Sequence, residues 1–253
     1  MPRPIWQGSL QFGLVTIPVG HFPAEAPDDL DLDLLDKRNM ARVGYTKVNK
    51  ETGEPVPSEE LVKGYAVDDG RYVVVTDKEI KGASPEATQT IDIVEFVDAA
   101  AVDTIYYDRP YFIAPSKHGT KPFALLREAL RRSEKVGIAR LVIRTRQYVA
   151  AVYPWQRTIV VHLLRYQHEL RDPGQLDLPA AGASKPGVGT KELDMAERLI
   201  EGMVEAWDPS AFKDDYRKKL LDLIKKKAKA GDEWEVPEVE TRRPKAPVVD
   251  LMA

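Results

Sequence analysis

Short segments rich in β-branched and aromatic residues recur through the first two thirds of the chain, and they constrain the fold more than any other feature. Residues 5–19 predict a bent strand or two short strands, because Gly8 and Gly13 interrupt an otherwise apolar run. The same composition predicts further strands at 71–76, 90–97, 104–114, 138–144, 147–153 and 158–166. We therefore expect a mainly β fold, as one large domain or one domain with an appendage.

Helical periodicity appears once among these strands and twice after them. Phe123, Leu126 and Leu130 form one apolar stripe, with Thr120 as the expected cap of that helix. Asp208 followed by a proline is the expected start of the last helix. The sequence predicts helices at 121–135, 190–207 and 209–229, a Gly/Pro-rich linker at 174–189 and a flexible tail at 231–253.

The stretch between the first strands and residue 60 has a different character. Residues 31–34 alternate aspartate with leucine, as a half-exposed strand would. Residues 37–60 mix basic residues with turn formers and predict a long excursion that carries a hairpin.

Charge is strongly separated along the chain, although the formal net charge is only −3. Residues 51–108 hold 4 Lys/Arg against 14 Asp/Glu, whereas residues 109–171 hold 13 Lys/Arg against 3 Asp/Glu. Such asymmetry is typical of proteins with a nucleic-acid or membrane partner. No stretch is long and apolar enough to predict a membrane span, and the first residues lack the apolar core of a signal peptide.

The motifs of common catalytic sites are missing. The chain has no cysteine, which excludes disulfides, thiolate metal sites and a cysteine nucleophile. It has no Walker A loop, no G-x-G-x-x-G, no G-x-S-x-G and no H-E-x-x-H. Its four histidines are scattered, and we expect neither a metal site nor a cofactor. The chain is therefore expected not to be an enzyme, although a buried carboxylate pair would escape this search.

The basic block, residues 109–171, is the remaining functional signal. Arginine matches phosphate geometry and stays charged, so these residues predict contact with a nucleic-acid backbone. No base-reading motif is present, which favours binding that tracks phosphates without reading sequence. Candidates in this block are Arg109, Lys117, Lys121, Arg127, Arg131, Arg132, Arg140, Arg144, Arg146, Arg157 and Arg165. The alternative is that the block pairs with the acidic block across the fold.

Many short runs of this sequence occur in the same order in one known family. They are IWQGSL at 5–10, FGLVTIPV at 12–19, VKGY at 62–65, YVVVTD at 72–77, IDIVEFV at 91–97, YYDRPY at 106–111, ALLREAL at 124–130, VGIAR at 136–140, RTR at 144–146, LRY at 164–166 and LRDP at 170–173. On these runs the chain resembles the prokaryotic Ku proteins, the DNA-end-binding homodimers of bacterial non-homologous end joining. The resemblance continues through the C-terminal helices and so covers nearly the whole chain.

The resemblance implies a mixed α/β, mainly β fold: a Ku-type β-barrel core with an extended ring-forming arm, followed by a small C-terminal helical module. It implies that two chains form a ring around a double-stranded DNA end and that the module recruits the ATP-dependent DNA ligase of end joining. It also implies a bacterial cytoplasmic location at the nucleoid. Some relatives hold zinc with a C-x-x-C pair in the arm; here those positions are Asn49 and Thr52, so no metal is expected.

The boundaries and contacts that follow are expectations. Residues 1–180 are expected to form the core, 181–189 a linker, 190–230 the helical module and 231–253 the tail. The ring adds arm cations to the expected DNA contacts. The narrowed set is Lys37, Arg38, Arg42, Lys47, Lys50, Lys63, Arg109, Lys117, Lys121, Arg127, Arg131, Arg140, Arg144 and Arg146.

Other interpretations stay open on sequence alone. The chain could be a β-barrel scaffold or an RNA-binding regulator, and the C-terminal helices could simply pack on the barrel. Trp6 is expected in the core, whereas Trp155 could be a core residue or a stacking platform.

Overall fold

A computed structural model of the chain describes residues 3–26, 30–67, 70–83, 89–179 and 189–234. The chain forms two compact units, one of Met1–Pro27 with Leu61–Ala180 and one of Asp28–Glu60 with Ala181–Ala253. Most of the predicted linker and nearly all of the predicted tail, residues 180–188 and 235–253, lie outside the described residues.

A closed barrel dominates the first unit. Its seven strands are β1 (Trp6–Phe12), β2 (Val15–Pro23), β5 (Thr90–Asp98), β6 (Tyr107–Pro115), β7 (Lys135–Ile143), β8 (Arg146–Trp155) and β9 (Thr158–Leu164). They follow each other around the barrel in the order β1-β2-β6-β9-β8-β7-β5. All neighbours are antiparallel except β1 and β5, which pair in parallel and close the barrel. The predicted mainly β fold is confirmed.

Alternation along the strands sends one set of side chains into the barrel interior. On β9, for example, Ile159, Val161 and Leu163 are buried in the main core cluster. The first long helix, α2 (Thr120–Ser133), adds its predicted apolar stripe, including Phe123 and Leu126, to the same cluster. Complete burial of one such side chain contributes about 1.5–3 kcal/mol, so this cluster sets the position of the polar side chains on the outside.

A separate two-stranded sheet forms in the same unit, from β3 (Lys63–Ala66) and β4 (Tyr72–Val75). The sequence predicted the second of these strands and missed the first. The structure also contains a short helix, α1 (Asp77–Ala83), that was not predicted. Both missed elements are too short to show a clear periodicity.

The helix ends differ from those predicted. The long helices are α2 (Thr120–Ser133), α3 (Thr190–Glu201) and α4 (Asp215–Lys229). Gly119, not Thr120, is the cap of α2; a Cβ at Gly119 would lie 2.5 Å from the carbonyl oxygen of Pro18. Helix α3 ends before Gly202 and so is shorter than predicted. Asp208 caps only a 3-10 turn, and Asp214 caps α4 instead.

The predicted strand at 31–34 is wrong, whereas the predicted hairpin within 37–60 is present only as a minimal antiparallel pairing around the Val48–Pro55 bridge. Residues 30–60 form no strand; they contain the isolated bridges Leu35–Arg42 and Val48–Pro55 and a 3-10 turn at Ser58–Glu60. Leu32 and Leu34 are exposed. Alternation specifies a strand only where one face can be buried against other elements, and no such face covers these leucines.

Candidate nucleic-acid interface

The basic residues of 109–171 fall into two classes, according to whether a carboxylate already pairs with them. The paired residues are Arg109, Arg127, Arg131, Lys135, Arg146 and Arg165. Within the described part of the chain, the exposed residues with no ion pair are Lys117, Lys121, Arg132, Arg140, Arg144, Arg157 and Arg171. A cation of the second class can neutralise a phosphate without first losing an ion pair.

Two arginines of α2 support the turn between β8 and β9. The Nη1 of Arg127 donates to the carbonyl oxygen of Arg157, and the Nη2 of Arg131 donates to that of Gln156, each at 2.7 Å. Both guanidinium groups also pair with Glu128, and those hydrogen bonds, the one from Arg127 first, lower the pKa of Glu128. Arg127 and Arg131 therefore have a structural task, which makes them weaker candidates for phosphate contact than sequence alone suggested.

The β8–β9 turn presents an unpaired cation beside an aromatic stack. Its two residues are Gln156, which has a φ of 47°, and Arg157, which is exposed. Trp155, just before the turn, stacks on Phe112 with ring centroids 5.4 Å apart and remains 46% exposed. Trp155 thus lies on the barrel surface, where one of its two expected roles, a stacking platform, remains open.

A second basic surface lies at the β7–β8 turn. Arg144, the first residue of this two-residue turn, has a φ of 59° and is exposed. Arg140 points outward from β7, with Asp92 of β5 opposite it in register. Arg146 pairs with Glu169 at 2.5 Å and lies over the ring of Tyr148 at 5.4 Å.

Two more arginines lie on the barrel near the start of β6, and both pair with one carboxylate. Arg109 contacts Asp108 at 3.2 Å, and Arg165 contacts it at 2.8 Å. Arg165 also donates to the carbonyl oxygens of Ile105 and Tyr107. Three acceptors fix this guanidinium, so we assign Arg165 to holding the start of β6.

The two turns lie at opposite ends of β8. That strand has ten residues, and at about 3.3 Å per residue it is about 30 Å long. Duplex DNA rises 3.4 Å per base pair, so the turns are separated by roughly nine base pairs. Arg144 and Arg157 therefore cannot bind the same phosphate, and a duplex that contacts both must run along the barrel for about one helical turn.

The arm cations divide in the same way as those of the barrel. Arg38 binds Asp36 through two nitrogens, and the hydrogen bond from its side chain lowers the pKa of that carboxyl. Arg42 pairs with Asp33 at 3.2 Å. Lys63, on β3, pairs with Asp77 at 2.9 Å. Lys37, Lys47 and Lys50 are exposed and have no ion pair in the described part of the chain.

Sequence reasoning missed an apolar surface on the β3–β4 sheet. Tyr65, Tyr72, Val73 and Val74 are each more than half exposed. Tyr65 and Val73 face each other across the ladder, and Tyr72 and Val74 lie on the opposite face. A two-stranded sheet is marginally stable in water on its own. The signal in the sequence was the unbroken apolar run 72–75, which lacks the alternation of a half-buried strand.

The described residues contain neither a membrane-spanning helix nor a cluster of metal-binding side chains. None of the helices there is both long and apolar enough to cross a membrane. Across the same ranges, no three His, Asp or Glu side chains come together as a possible metal site.

Comparison with known proteins places this barrel in a defined group. The family described as the Ku70/Ku80 beta-barrel domain matches residues 11–195. The chain is 43% identical over 250 residues to the "Non-homologous end joining protein Ku" of Coxiella burnetii, covering 99% of this chain and 91% of the relative. It is 41% identical to the protein of that name from Cupriavidus necator, covering 100% and 76%, and 34% identical to that from Bacillus subtilis, covering 98% and 79%.

Proposed function

This chain belongs to the Ku family, and on that premise we propose that it binds ends of double-stranded DNA, without sequence preference, in bacterial non-homologous end joining. The supporting observation is the set of exposed, unpaired cations of 109–171, present at both ends of β8. Such cations release counterions when they neutralise phosphates, whatever the base sequence. The proposed role is binding and recruitment at the nucleoid, with no reaction catalysed by this chain.

A salt titration tests the backbone contact. We expect the affinity for a blunt duplex to fall with salt, with a log–log slope of about −0.9 per neutralised phosphate. Replacing Arg140, Arg144 and Arg157 together with glutamine should weaken binding and make the slope shallower. Structured RNA should compete poorly, whereas equal competition by RNA would favour the RNA-binding alternative.

We further propose that two chains pair through the β3–β4 sheet to form the ring. The support is the exposed apolar side chains on both of its faces, which a partner chain would bury. The Val73→Asp/Val74→Asp variant should sediment as a monomer. The control is Val94→Asp, a similarly exposed valine on β5, which should remain a dimer. A monomeric wild type, or a dimeric double variant, would refute the pairing.

The C-terminal module, residues 190–230, is proposed to recruit the ATP-dependent ligase. The apolar face predicted for a helix at 190–207 is not buried: Ile200 and Val204 are more than half exposed. Trp207 and Phe212, whose rings stack 5.2 Å apart, are more than half exposed as well. Exposed apolar side chains in this number favour a protein partner over simple packing on the barrel. Deleting residues 185–253 should leave end binding largely intact and abolish stimulation of the ligase. Stimulation that survives the deletion would disprove this role.

A further inference from the structure

Helix α4 is the most basic element of the second unit. Its fifteen residues include seven Lys/Arg and two Asp. Helix α3, in the same unit, has two Lys/Arg against four Asp/Glu. The positive charge of this unit's helices is therefore concentrated on α4.

The lysines of α4 share one face. At 100° per residue, Lys218, Lys225 and Lys229 lie within about 40° of one another around the helix axis, and Lys219 and Lys226 adjoin them. We call these five residues the lysine stripe. All five are exposed, whereas Leu220 on the opposite side of the helix is half-buried.

Stability of the helix accounts for only part of this pattern. Lysines 225, 226 and 229 lie at the C-terminal end of α4, where cations interact favourably with the helix dipole. Lys218 and Lys219 lie within its first five residues, where a positive charge is unfavourable. The helix dipole therefore explains the lysines at the C-terminal end of the stripe but not Lys218 and Lys219.

No carboxylate in the described part of the chain forms an ion pair with any lysine of the stripe. Asp215 and Asp222 lie within it, but neither forms an ion pair with a lysine of the stripe. By contrast, Lys227, which lies off the stripe, pairs with Asp232 at 2.9 Å. The stripe thus presents five ammonium groups without ion pairs in the described ranges, beside two carboxylates, those of Asp215 and Asp222.

We propose that the lysine stripe is a second DNA contact, which takes phosphates of the duplex that the barrel binds; this rests on the function proposed above. The stripe is about 16 Å long, equal to about five base-pair steps. Ammonium groups are compact point charges that suit phosphates without reading bases. The acidic helix α3 would contact the ligase, so one module would bind the ligase and the DNA through different helices.

The test uses the full chain with Lys218, Lys225 and Lys229 replaced by glutamine. Its matched control replaces three other exposed lysines of the same unit, Lys191, Lys213 and Lys227. Circular dichroism should show the same helix content in both. We expect the stripe variant to bind duplex DNA about tenfold or more weakly at 0.1 M salt, with a slope shallower by about 0.9 for each lysine that faced a phosphate. The control should bind like the wild type.

Two results would overturn the proposal. One is that the stripe variant keeps the wild-type affinity for duplex DNA and the wild-type salt dependence. If that variant loses only ligase stimulation, the stripe contacts the ligase and the proposal is also refuted. The other is an equal loss in the control, which would indicate a general charge effect. The barrel variant of Arg140, Arg144 and Arg157, measured in parallel, separates the two proposals. If it loses affinity while the stripe variant does not, only the stripe is refuted; if neither does, the DNA-binding function fails as well.

Discussion

At the scale of single residues, His21 is the most unusual polar group of the barrel. It is fully buried between the rings of Trp6 and Tyr111, and neither of its ring nitrogens has a hydrogen-bond partner among the described residues. Burial lowers its pKa to about 4, because the imidazolium would lose its hydration inside the barrel. His21 therefore acts as a neutral aromatic core residue at pH 7.

Acid should destabilise the fold through this residue. Its pKa is near 6.5 when unfolded and about 4 when folded, so the unfolded chain binds more protons between these values. The contribution is complete above pH 6.5 and is lost as the pH falls towards 4, to a total of about 3 kcal/mol. Urea unfolding at pH 7 and pH 4.5 should show a smaller loss for His21→Phe than for the wild type. An equal loss in both would show that His21 does not carry the effect.

Arg144 combines a strained backbone with an exposed charge. A φ of 59° is unfavourable for arginine by about 1 kcal/mol, whereas asparagine tolerates this region of backbone conformation well. Arg144→Asn should therefore keep or slightly raise the free energy of unfolding while it weakens binding to duplex DNA. Thermal unfolding and a binding titration on one preparation check both. Weaker folding with unchanged affinity would assign Arg144 to the fold instead.

At the scale of elements, α2 and the β8–β9 turn act together. Arg131 supports the turn through Glu128 and the carbonyl of Gln156, whereas Arg132 beside it is exposed and has no ion pair in the described ranges. Arg131→Gln should lower the free energy of unfolding by about 1 kcal/mol. Arg132→Gln should leave it unchanged and reduce DNA affinity instead. Chemical unfolding and DNA titration of both variants check this assignment. Loss of stability in Arg132→Gln with loss of DNA affinity alone in Arg131→Gln would contradict it.

The same elements explain how far the sequence could predict the structure. The barrel strands and the stripe of α2 were predictable, because β-branched runs and helical spacing record burial against neighbours. The alternation at 31–34 was misleading, since a pattern along the chain does not show whether a face is covered. The cap at Gly119 was also out of reach, because it depends on the approach of Pro18, about a hundred residues earlier.

The sequence predicted where the basic surface lies along the chain, but not which of its cations are available to contact DNA. Thirteen cations in 109–171 predicted a basic surface. Composition could not separate Arg127, which holds a turn, from Arg157, whose carbonyl accepts that bond. The side chain of Arg157 forms no ion pair with any residue that the structure describes. That distinction depends on which carboxylates and carbonyls the fold brings near each guanidinium.

At the scale of the whole molecule, a net charge of −3 is compatible with DNA binding because positive and negative residues are separated. Arg144 and Arg157, two barrel cations without ion pairs in the described ranges, lie at opposite ends of β8, about 30 Å or nine base pairs apart. Acidic residues of 51–108 neutralise only some of the basic block, as in the pairs of Asp108 with Arg109 and Arg165. The alternative that the two blocks simply cancel is therefore insufficient for the seven exposed cations left over.

The central claim is that a DNA end is recognised by threading through a ring of two chains. Comparing linear with covalently closed circular DNA tests this claim most directly. Linear duplex and a covalently closed circle of the same sequence offer identical phosphates, but only the linear form has an end that can enter a ring. In a competition titration at fixed salt, we predict that the linear form displaces a bound labelled duplex and that the closed circle does so poorly. Linearising the circle with one cut should restore competition. Equal competition by circle and linear duplex would contradict the account.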